Sequence, residues 1–230
     1  MVYNKEKVEA VLGVTFENED LLKTAYTHRS YLNEHRRTSL EHNERMEFLG
    51  DAVLELVVTD YLYRNYKNPE GELTSWRSAL VKTESLAELA EKLQLGQFLL
   101  MSRGEAKTGG RTRQALLANL VEATIGAIYL EKGYDEAKKF IENNIVIKLD
   151  EIIKTGAYID AKSQFQELSQ ESHGVTPSYK VLEESGPDHD KTFLMGVYLG
   201  DKEYGRGEGS SKQAAQQSAA LDGLKKLQKK

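Results

Sequence analysis

The feature that most constrains the fold of this chain is a change in the spacing of its apolar residues near position 155. From residue 4 to residue 154 the apolar residues recur at helical intervals, and no alternating strand pattern occurs. A helix-like segment, three segments of strand composition and a closing helix follow within about 70 residues. The sequence therefore predicts an all-α domain over 1–154, a linker over 155–159 and a small α+β domain, ordered α-β-β-β-α, over 160–230.

Capping residues, proline and glycine indicate where the predicted elements end. Asn4 and Asn18 are plausible N-caps, because their side-chain oxygens can accept hydrogen bonds from free backbone N–H groups. Asn68-Pro69 ends the long helix predicted from residue 43, since proline disfavours a helical residue before it. The segment GEAKTGGRTR at 104–113 is glycine-rich, basic and aperiodic, so we expect a mobile loop. The other predicted elements are helices at 73–94 (one or a pair), 114–131, 134–154 and 161–174, and strands at 178–185, 192–200 and from 202.

Composition excludes several classes of function. The chain of 230 residues has no cysteine, which excludes disulfides, thiolate metal sites and a cysteine nucleophile. Its N-terminus is charged where a signal peptide needs an apolar run, and no apolar stretch approaches the roughly 18 residues of a membrane span. We therefore expect a cytoplasmic protein with no membrane partner. Lys and Arg number 21 against 25 Asp and Glu up to residue 155, and 10 against 11 after it, so any nucleic acid must bind through local clusters.

The motif NERMEFLGD at 43–51 places three carboxylates on one face of an otherwise apolar helix. At 100° per residue, Glu44, Glu47 and Asp51 lie within about 60° of one another. Like charges at this spacing repel and lower helix stability by a few tenths of a kcal/mol per pair. Two explanations are open: a solvated face neutralised by nearby cations such as Arg45, or a divalent metal held by carboxylate oxygens.

The last 70 residues resemble a double-stranded RNA-binding domain. The resemblance covers 160–228 and is carried by the order of the elements, GPDH at 186–189 and GEGSSKQAAQQSAA at 207–220. It implies that the first helix and the strand turn contact successive minor grooves of A-form RNA, and that the last helix meets phosphate at its N-terminus. The residues that match the family's contacting positions are Ser163, Gln166, Glu167, Gln170, His189, Ser211 and Lys212. For His189 alone, an exposed polar residue without a role is an equal alternative.

One departure from that family concerns charge. The family usually has two or more successive lysines at the start of the last helix, whereas Lys212 is followed by Gln213. Fewer phosphate contacts predict weaker binding and a shallower salt dependence.

The first half resembles the endonuclease domain of ribonuclease III, and the whole chain resembles the short bacterial form. The motifs are THRSY at 27–31, NERMEFLGDAVLELVV at 43–58, PEGELTSWRSALV at 69–81 and LLANLVEATIGAIYLEKGY at 116–134. The resemblance implies a homodimeric, magnesium-dependent endoribonuclease that is specific for duplex RNA and leaves 5′-phosphate and 3′-hydroxyl ends. It also implies roles in rRNA precursor maturation and in the processing of some mRNA and tRNA precursors.

The same resemblance assigns the acidic residues. The implied Mg²⁺ ligands, with Mn²⁺ as a substitute metal, are Glu47, Asp51, Asn119 and Glu122, and the implied catalytic residues are Glu44, Asp51, Glu70 and Glu122. Phe48 matches the apolar knob that inserts into the partner subunit. These residue types suit magnesium, which prefers oxygen ligands and keeps several waters. Glu55 has no assigned role and is interpreted as ordinary surface.

The match breaks at one ligand, because the family normally has aspartate where this chain has Asn119. An amide oxygen can ligate magnesium but contributes no negative charge. Three interpretations are open: a natural variant that remains active, an engineered change that traps a substrate complex, or a dimer that binds duplex RNA with impaired or absent cleavage. Two roles are open for His28 and Arg29: support of the acidic site or plain packing. For Lys107, Arg111 and Arg113, the alternatives are contact with RNA and exposure to solvent.

Overall fold

The computed structural model describes residues 3–156, 158, 160–187 and 191–227. The predicted RNA contact His189 lies outside the described residues. The chain divides into two compact units, residues 1–158 and 159–230. The first is helical and the second is α+β, which confirms the predicted fold class.

The first unit is built from ten α-helices among the described residues. They are α1 (Lys5–Leu12), α2 (Glu19–Ala25), α3 (Arg29–Glu34), α4 (Glu44–Asn65), α5 (Glu70–Val81), α6 (Thr83–Lys92), α7 (Arg103–Lys107), α8 (Gln114–Lys132), α9 (Tyr134–Asn144) and α10 (Leu149–Thr155). Short 3-10 helices span Leu95–Phe98, Gly110–Thr112 and Val146–Lys148. The predicted N-caps are confirmed: Asn4 Oδ1 accepts from Lys7 N at 2.8 Å, and Asn18 Oδ1 accepts from Leu21 N at 3.1 Å.

Helices α4 and α8 cross at the centre of this unit. Val57 and Val58 of α4 and Ile125 of α8 are among the buried apolar residues of the core. The two helices approach each other unusually closely, because each has a glycine that faces the backbone of the other. A Cβ atom at Gly50 would overlap the carbonyl of Glu122, and one at Gly126 would overlap the carbonyl of Met46. The two glycines therefore set how closely the two acidic helices approach.

The segment at 104–113 is folded, so the prediction of a mobile loop there is wrong. It forms the end of α7 and a 3-10 turn. The Arg111 guanidinium donates to the carbonyls of Gly96, Gln97 and Leu99 at 2.9, 3.1 and 2.7 Å. Because Arg111 and these carbonyls are more than ten residues apart in sequence, the local glycine content does not indicate that the segment is ordered. These hydrogen bonds also give Arg111 a structural role.

The prediction of a single helix at 134–154 is also wrong, because this segment forms α9, a 3-10 turn and α10. The break follows Asn144, whose side chain donates to the carbonyl of Phe140 at 2.8 Å. Three β-branched residues, Ile145 to Ile147, come next and lower helix propensity.

The second unit comprises α11 (Ala161–His173), β1 (Ser178–Ser185), β2 (Thr192–Leu199), β3 (Lys202–Gly209) and α12 (Lys212–Leu227). The strands form an antiparallel sheet in the order β1-β2-β3. Phe165 of α11, Val197 of β2 and Leu224 of α12 belong to one buried cluster. This core fixes the first turn of α12 and the exposed face of α11 on a single small scaffold.

No helix in the described part of the chain is both long and apolar enough to cross a membrane.

Candidate functional site

The start of α4 is fastened to the end of α2 by Asn43. Its backbone N–H donates to the carbonyl of Thr27 at 2.9 Å, and its side-chain amide donates to the carbonyl of Ala25 at 3.2 Å. Asn43 is buried, so these bonds satisfy groups that water cannot reach. They fix the first turn of α4, which carries Glu44 and Glu47. A helix N-terminus favours negative charge and offsets part of the repulsion between these two carboxylates.

Glu44 lies between two cationic or titratable neighbours. Arg29 Nη1 lies 3.5 Å from its carboxylate and His42 Nδ1 lies 3.6 Å away. The sequence left the role of Arg29 open, and the structure places it against Glu44. Sequence reasoning missed this pairing because the two residues are 15 positions apart in different helices.

His28 supports the turn that precedes α3. Its Nδ1 atom lies 2.8 Å from Ser30 Oγ, which in turn accepts a hydrogen bond from Ser102 N at 3.0 Å. Partial burial lowers the pKa of His28 below its ordinary value of 6.5. These contacts agree with packing and support rather than with direct chemistry.

The predicted metal ligands of α4 and α8 lie within electrostatic range of one another across the helix crossing. Burial raises the pKa of Glu47; the Asn119 side chain hydrogen-bonds the carboxylate and lowers it, and the charges of Glu44 and Asp51 raise it. Burial, followed by the charges of Asp51 and Glu47, raises the pKa of Glu122 to about 7. The site thus gathers negative groups from two helices in a partly desolvated place.

The donor set fits a hard divalent cation. Three carboxylates and one amide oxygen are the oxygen ligands that magnesium prefers, and a site with waters completing the shell needs no more. Among the described residues, however, no three Asp, Glu or His side chains already converge as a metal cage.

Glu70 does not join this group within one protomer. It begins α5 and accepts from Thr74 Oγ1 at 3.0 Å. It lines a cleft of about 500 Å³ with Tyr63, in the C-terminal half of α4, and Tyr66, which follows that helix. At about 1.5 Å per residue, that end of α4 lies roughly 20 Å from Asp51.

An exposed apolar stripe borders the carboxylates on α4. Phe48, Leu56 and Tyr63 are 79%, 57% and 75% exposed. They fall within about 80° of one another on the helix, next to the face of Glu44, Glu47 and Asp51. Such a stripe on a monomer marks a surface that another protein covers. Glu55, interpreted as ordinary surface, pairs with Arg77 at 3.0 Å.

The predicted RNA contacts on α11 form one exposed face: Ser163, Gln166, Glu167 and Gln170. Asp160 caps the helix and accepts from Ser163 Oγ at 2.8 Å. Gln170 donates to Thr176 Oγ1 at 2.8 Å. All four side chains are open to a ligand.

The other predicted contacts lie at the start of α12. Ser211 Oγ accepts from Ala214 N at 3.2 Å and so caps this helix. Lys212 Nζ lies 3.0 Å from a carboxylate oxygen of Glu184 on β1. Sequence reasoning did not single out Glu184, and only the strand pairing brings it to α12.

Comparisons with known proteins agree with this fold. The family described as Ribonuclease-III-like matches residues 18–149, and the Double-stranded RNA binding motif matches residues 161–227. The chain is 45% identical to Ribonuclease 3 of Lactococcus lactis over 98% of this chain and 97% of that protein. It is 47% identical to Ribonuclease 3 of Oceanobacillus iheyensis, with 94% and 95% of the two chains covered.

A solved structure gives the same answer for the first unit. The nuclease domain of ribonuclease III from Campylobacter jejuni, described as flexible in a region involved in dimer formation, is 43% identical. It superposes with a TM-score of 0.56 over 62% of this chain and 99% of that one. The chain therefore belongs to the ribonuclease III family, as an endoribonuclease with a C-terminal double-stranded RNA-binding domain.

Proposed function

We propose that this chain is a cytoplasmic, magnesium-dependent enzyme that cleaves duplex RNA to 5′-phosphate and 3′-hydroxyl ends. Precursors of rRNA, and some of mRNA and tRNA, are its proposed substrates, and Mn²⁺ is the proposed substitute metal. The observation that carries the proposal is the tight crossing of α4 and α8, which brings Glu47 and Asp51 within electrostatic range of Glu122, with Asn119 beside Glu47. The family generally depends on a divalent metal.

In this proposal four residues are the metal ligands. Glu47, Asp51 and Glu122 would hold the metal through carboxylate oxygens, and Asn119 would add its amide oxygen. When bound, the metal supplies a Lewis acid that activates water and offsets charge on the scissile phosphate. Glu44, held by Arg29, is positioned beside these ligands. Because burial raises the pKa of Glu122 to about 7, binding of the cation would favour the ionised form of this side chain.

We further propose that the chain acts as a homodimer. The apolar stripe of Phe48, Leu56 and Tyr63 is the proposed interface, since its exposure to water is unfavourable in a monomer. Because the stripe borders the carboxylates, a partner that covers it brings a second acidic site close to the first. Two such sites would cut the two strands of one duplex.

The α11 face and the start of α12 are the proposed RNA-binding surface. Exposed Gln166 and Glu167 would hydrogen-bond in the shallow minor groove, where 2′-hydroxyls distinguish RNA from DNA. Ser211 and Lys212 would contact phosphate at the N-terminus of α12.

A second candidate function follows from Asn119. Asn119 lies beside Glu47 and brings one negative charge fewer than aspartate. A chain with this change could bind duplex RNA as a dimer with impaired or absent cleavage.

One experiment separates the two functions. An RNA duplex of about 40 base pairs, longer than the roughly 16 base pairs that one binding domain spans, is incubated with and without Mg²⁺. The chain is compared with Asn119→Asp, and Mg²⁺ affinity is measured by calorimetry without RNA. Magnesium-dependent cutting by this chain supports the enzyme. Cutting by the Asp variant alone, with equal RNA binding, supports the binder. Binding without cutting by either chain overturns the assignment of the acidic site.

A further inference from the structure

Lys212 is neutralised within its own domain. It is the first residue of α12 and the only Lys or Arg of that helix before Lys225. Its Nζ atom lies 3.0 Å from Oε1 of Glu184 and 5.5 Å from the ring centroid of Phe193. The side chains of Lys212 and Glu184 are 57% and 41% exposed. A ligand can therefore reach the pair, and either member can exchange its partner.

The sheet register holds Glu184 in this position. Glu184 on β1 is the Cα partner of Phe193 on β2, and Phe193 is the partner of Gly209 on β3. Gly209 packs against the backbone of Ala214 and Ala215 in the first turn of α12. The carboxylate and the helix start thus lie at the same end of the sheet. The pair is a product of the fold, because its members are 28 residues apart in sequence.

A carboxylate at this place competes with phosphate. The N-terminus of a helix and a lysine ammonium attract anions of either kind. A phosphate that reaches Lys212 must displace Glu184, and the carboxylate then remains near the RNA as an unneutralised like charge. Phosphate binding therefore replaces the Lys212–Glu184 ion pair with a Lys212–phosphate pair, so the net gain in electrostatic free energy is small.

We propose that Glu184 is an internal competitor for RNA phosphate at Lys212 and thereby sets the affinity and salt dependence of duplex binding. This inference rests on the phosphate-contact role proposed above for Lys212. By suppressing a contact that any polyanion can make, Glu184 raises the relative weight of the minor-groove contacts from α11. Selection of RNA duplexes over DNA duplexes follows, since only the minor-groove contacts sense the 2′-hydroxyl.

The test measures binding by the full chain. Fluorescence anisotropy with labelled RNA and DNA duplexes of about 20 base pairs, which exceed the domain's span of about 16, is recorded in EDTA so that no cleavage occurs. The variants are Glu184→Gln, Lys212→Gln and the double variant. Glu183→Gln is the matched control, because it removes the same formal charge from the exposed neighbour on the same strand. Thermal melting of each variant checks that the domain stays folded.

Glu184→Gln is expected to tighten RNA binding about twofold to fivefold at about 0.1 M salt, the scale of an exposed ion pair. The slope of log K against log salt should steepen by up to about 0.9, because Lys212 then contributes a full positive charge. DNA binding should tighten by a larger factor than RNA binding. In the Lys212→Gln background, Glu184→Gln should have no more effect than Glu183→Gln.

The outcomes separate the inference from the role on which it rests. If Lys212→Gln leaves RNA binding unchanged in the Glu184→Gln background, where no carboxylate competes, Lys212 does not contact phosphate, and both ideas fail. If Lys212→Gln weakens binding in that background but Glu184→Gln alone behaves like Glu183→Gln, the competitor role alone is overturned. Equal tightening for RNA and DNA overturns the effect on selection.

Discussion

The acidic site and the proposed RNA-binding surface differ in whether their charged side chains are paired with opposite charges. At the α4–α8 crossing, burial and then neighbouring carboxylate charges raise the pKa of Glu47 and of Glu122. On the second unit, Lys212 is exposed and already paired with Glu184. The first region gathers unbalanced charge and needs a ligand to neutralise it, while the second balances its charge before any ligand binds. The proposed cation site can tolerate repulsion that the cation would relieve, whereas the proposed RNA surface must release a long polyanion and benefits from weak contacts.

The largest effect is expected for Gly50→Ala, which breaks the packing that brings the carboxylates together. The added Cβ overlaps the Glu122 carbonyl, so the helices must separate. We expect a loss of about 1–3 kcal/mol in the free energy of unfolding. Misplacement of ligands by about 1 Å should lower cleavage about 100-fold or more. Denaturant unfolding and cleavage of duplex RNA measure the two effects.

Gly71→Ala is the matched control for that substitution. Gly71 lies in α5 and has open space where its Cβ would be. Alanine there should leave the protein as stable or stabilise it by up to about 1 kcal/mol. Equal destabilisation by both substitutions would show that the crossing has no special role.

Glu122→Gln tests whether the carboxylates of the acidic site repel one another. It removes a partly buried carboxylate from the neighbourhood of Asp51 and Glu47. We expect the metal-free protein to melt a few degrees higher, about the shift that 1 kcal/mol produces in a domain of this size. Cleavage should fall about 100-fold or more, and the stabilisation that Mg²⁺ gives should shrink. A lower melting temperature without metal would contradict the view that the carboxylates repel.

Gln166→Ala tests the opposite region. Gln166 is exposed on α11, so its replacement should change the melting temperature by less than about 1 °C. Affinity for duplex RNA should fall about threefold to tenfold through a lost minor-groove hydrogen bond, and affinity for duplex DNA should change less. The same anisotropy assay measures both, with exposed Gln164→Ala as the control. A large loss of stability would show that the RNA surface is also structural.

The smallest effect is expected from pH at His28. Burial lowers its folded-state pKa below 6.5, so protonation favours the unfolded chain. Its stabilisation is complete above the unfolded value of about 6.5 and is lost as pH falls through the folded-state value. His28→Asn should therefore flatten the decline in melting temperature below about pH 6.5, while His35→Asn should not. Equal slopes for both variants would rule out this contribution.

Much of the fold follows from local sequence. Asn4 and Asn18 cap their helices as their residue type predicts, and the three strands of the second unit follow their composition. Errors occur where distant contacts decide the structure. The Arg111 guanidinium orders a glycine-rich segment through carbonyls more than ten residues away.

The acidic site shows the same division. Helical spacing places Glu44, Glu47 and Asp51 on one face, but spacing alone does not distinguish a solvated face from a metal site. The contact between Asn119 and Glu47, and the separation of Glu70 from the other acids within one protomer, depend on how α4, α5 and α8 pack. These tertiary contacts leave no signal in the local sequence.

The glycine crossing at Gly50 and Gly126 has a consequence for how the site responds to its cation. Because the two backbones touch, Glu122 and the acids of α4 are carried by one rigid body that cannot relax by moving the helices apart. The loss of conformational entropy from bringing the ligands together occurs when the protein folds, and metal binding then requires only side-chain rotation. The site is preorganised at the level of its backbone, so exchange of one divalent ion for another should leave the helix geometry unchanged.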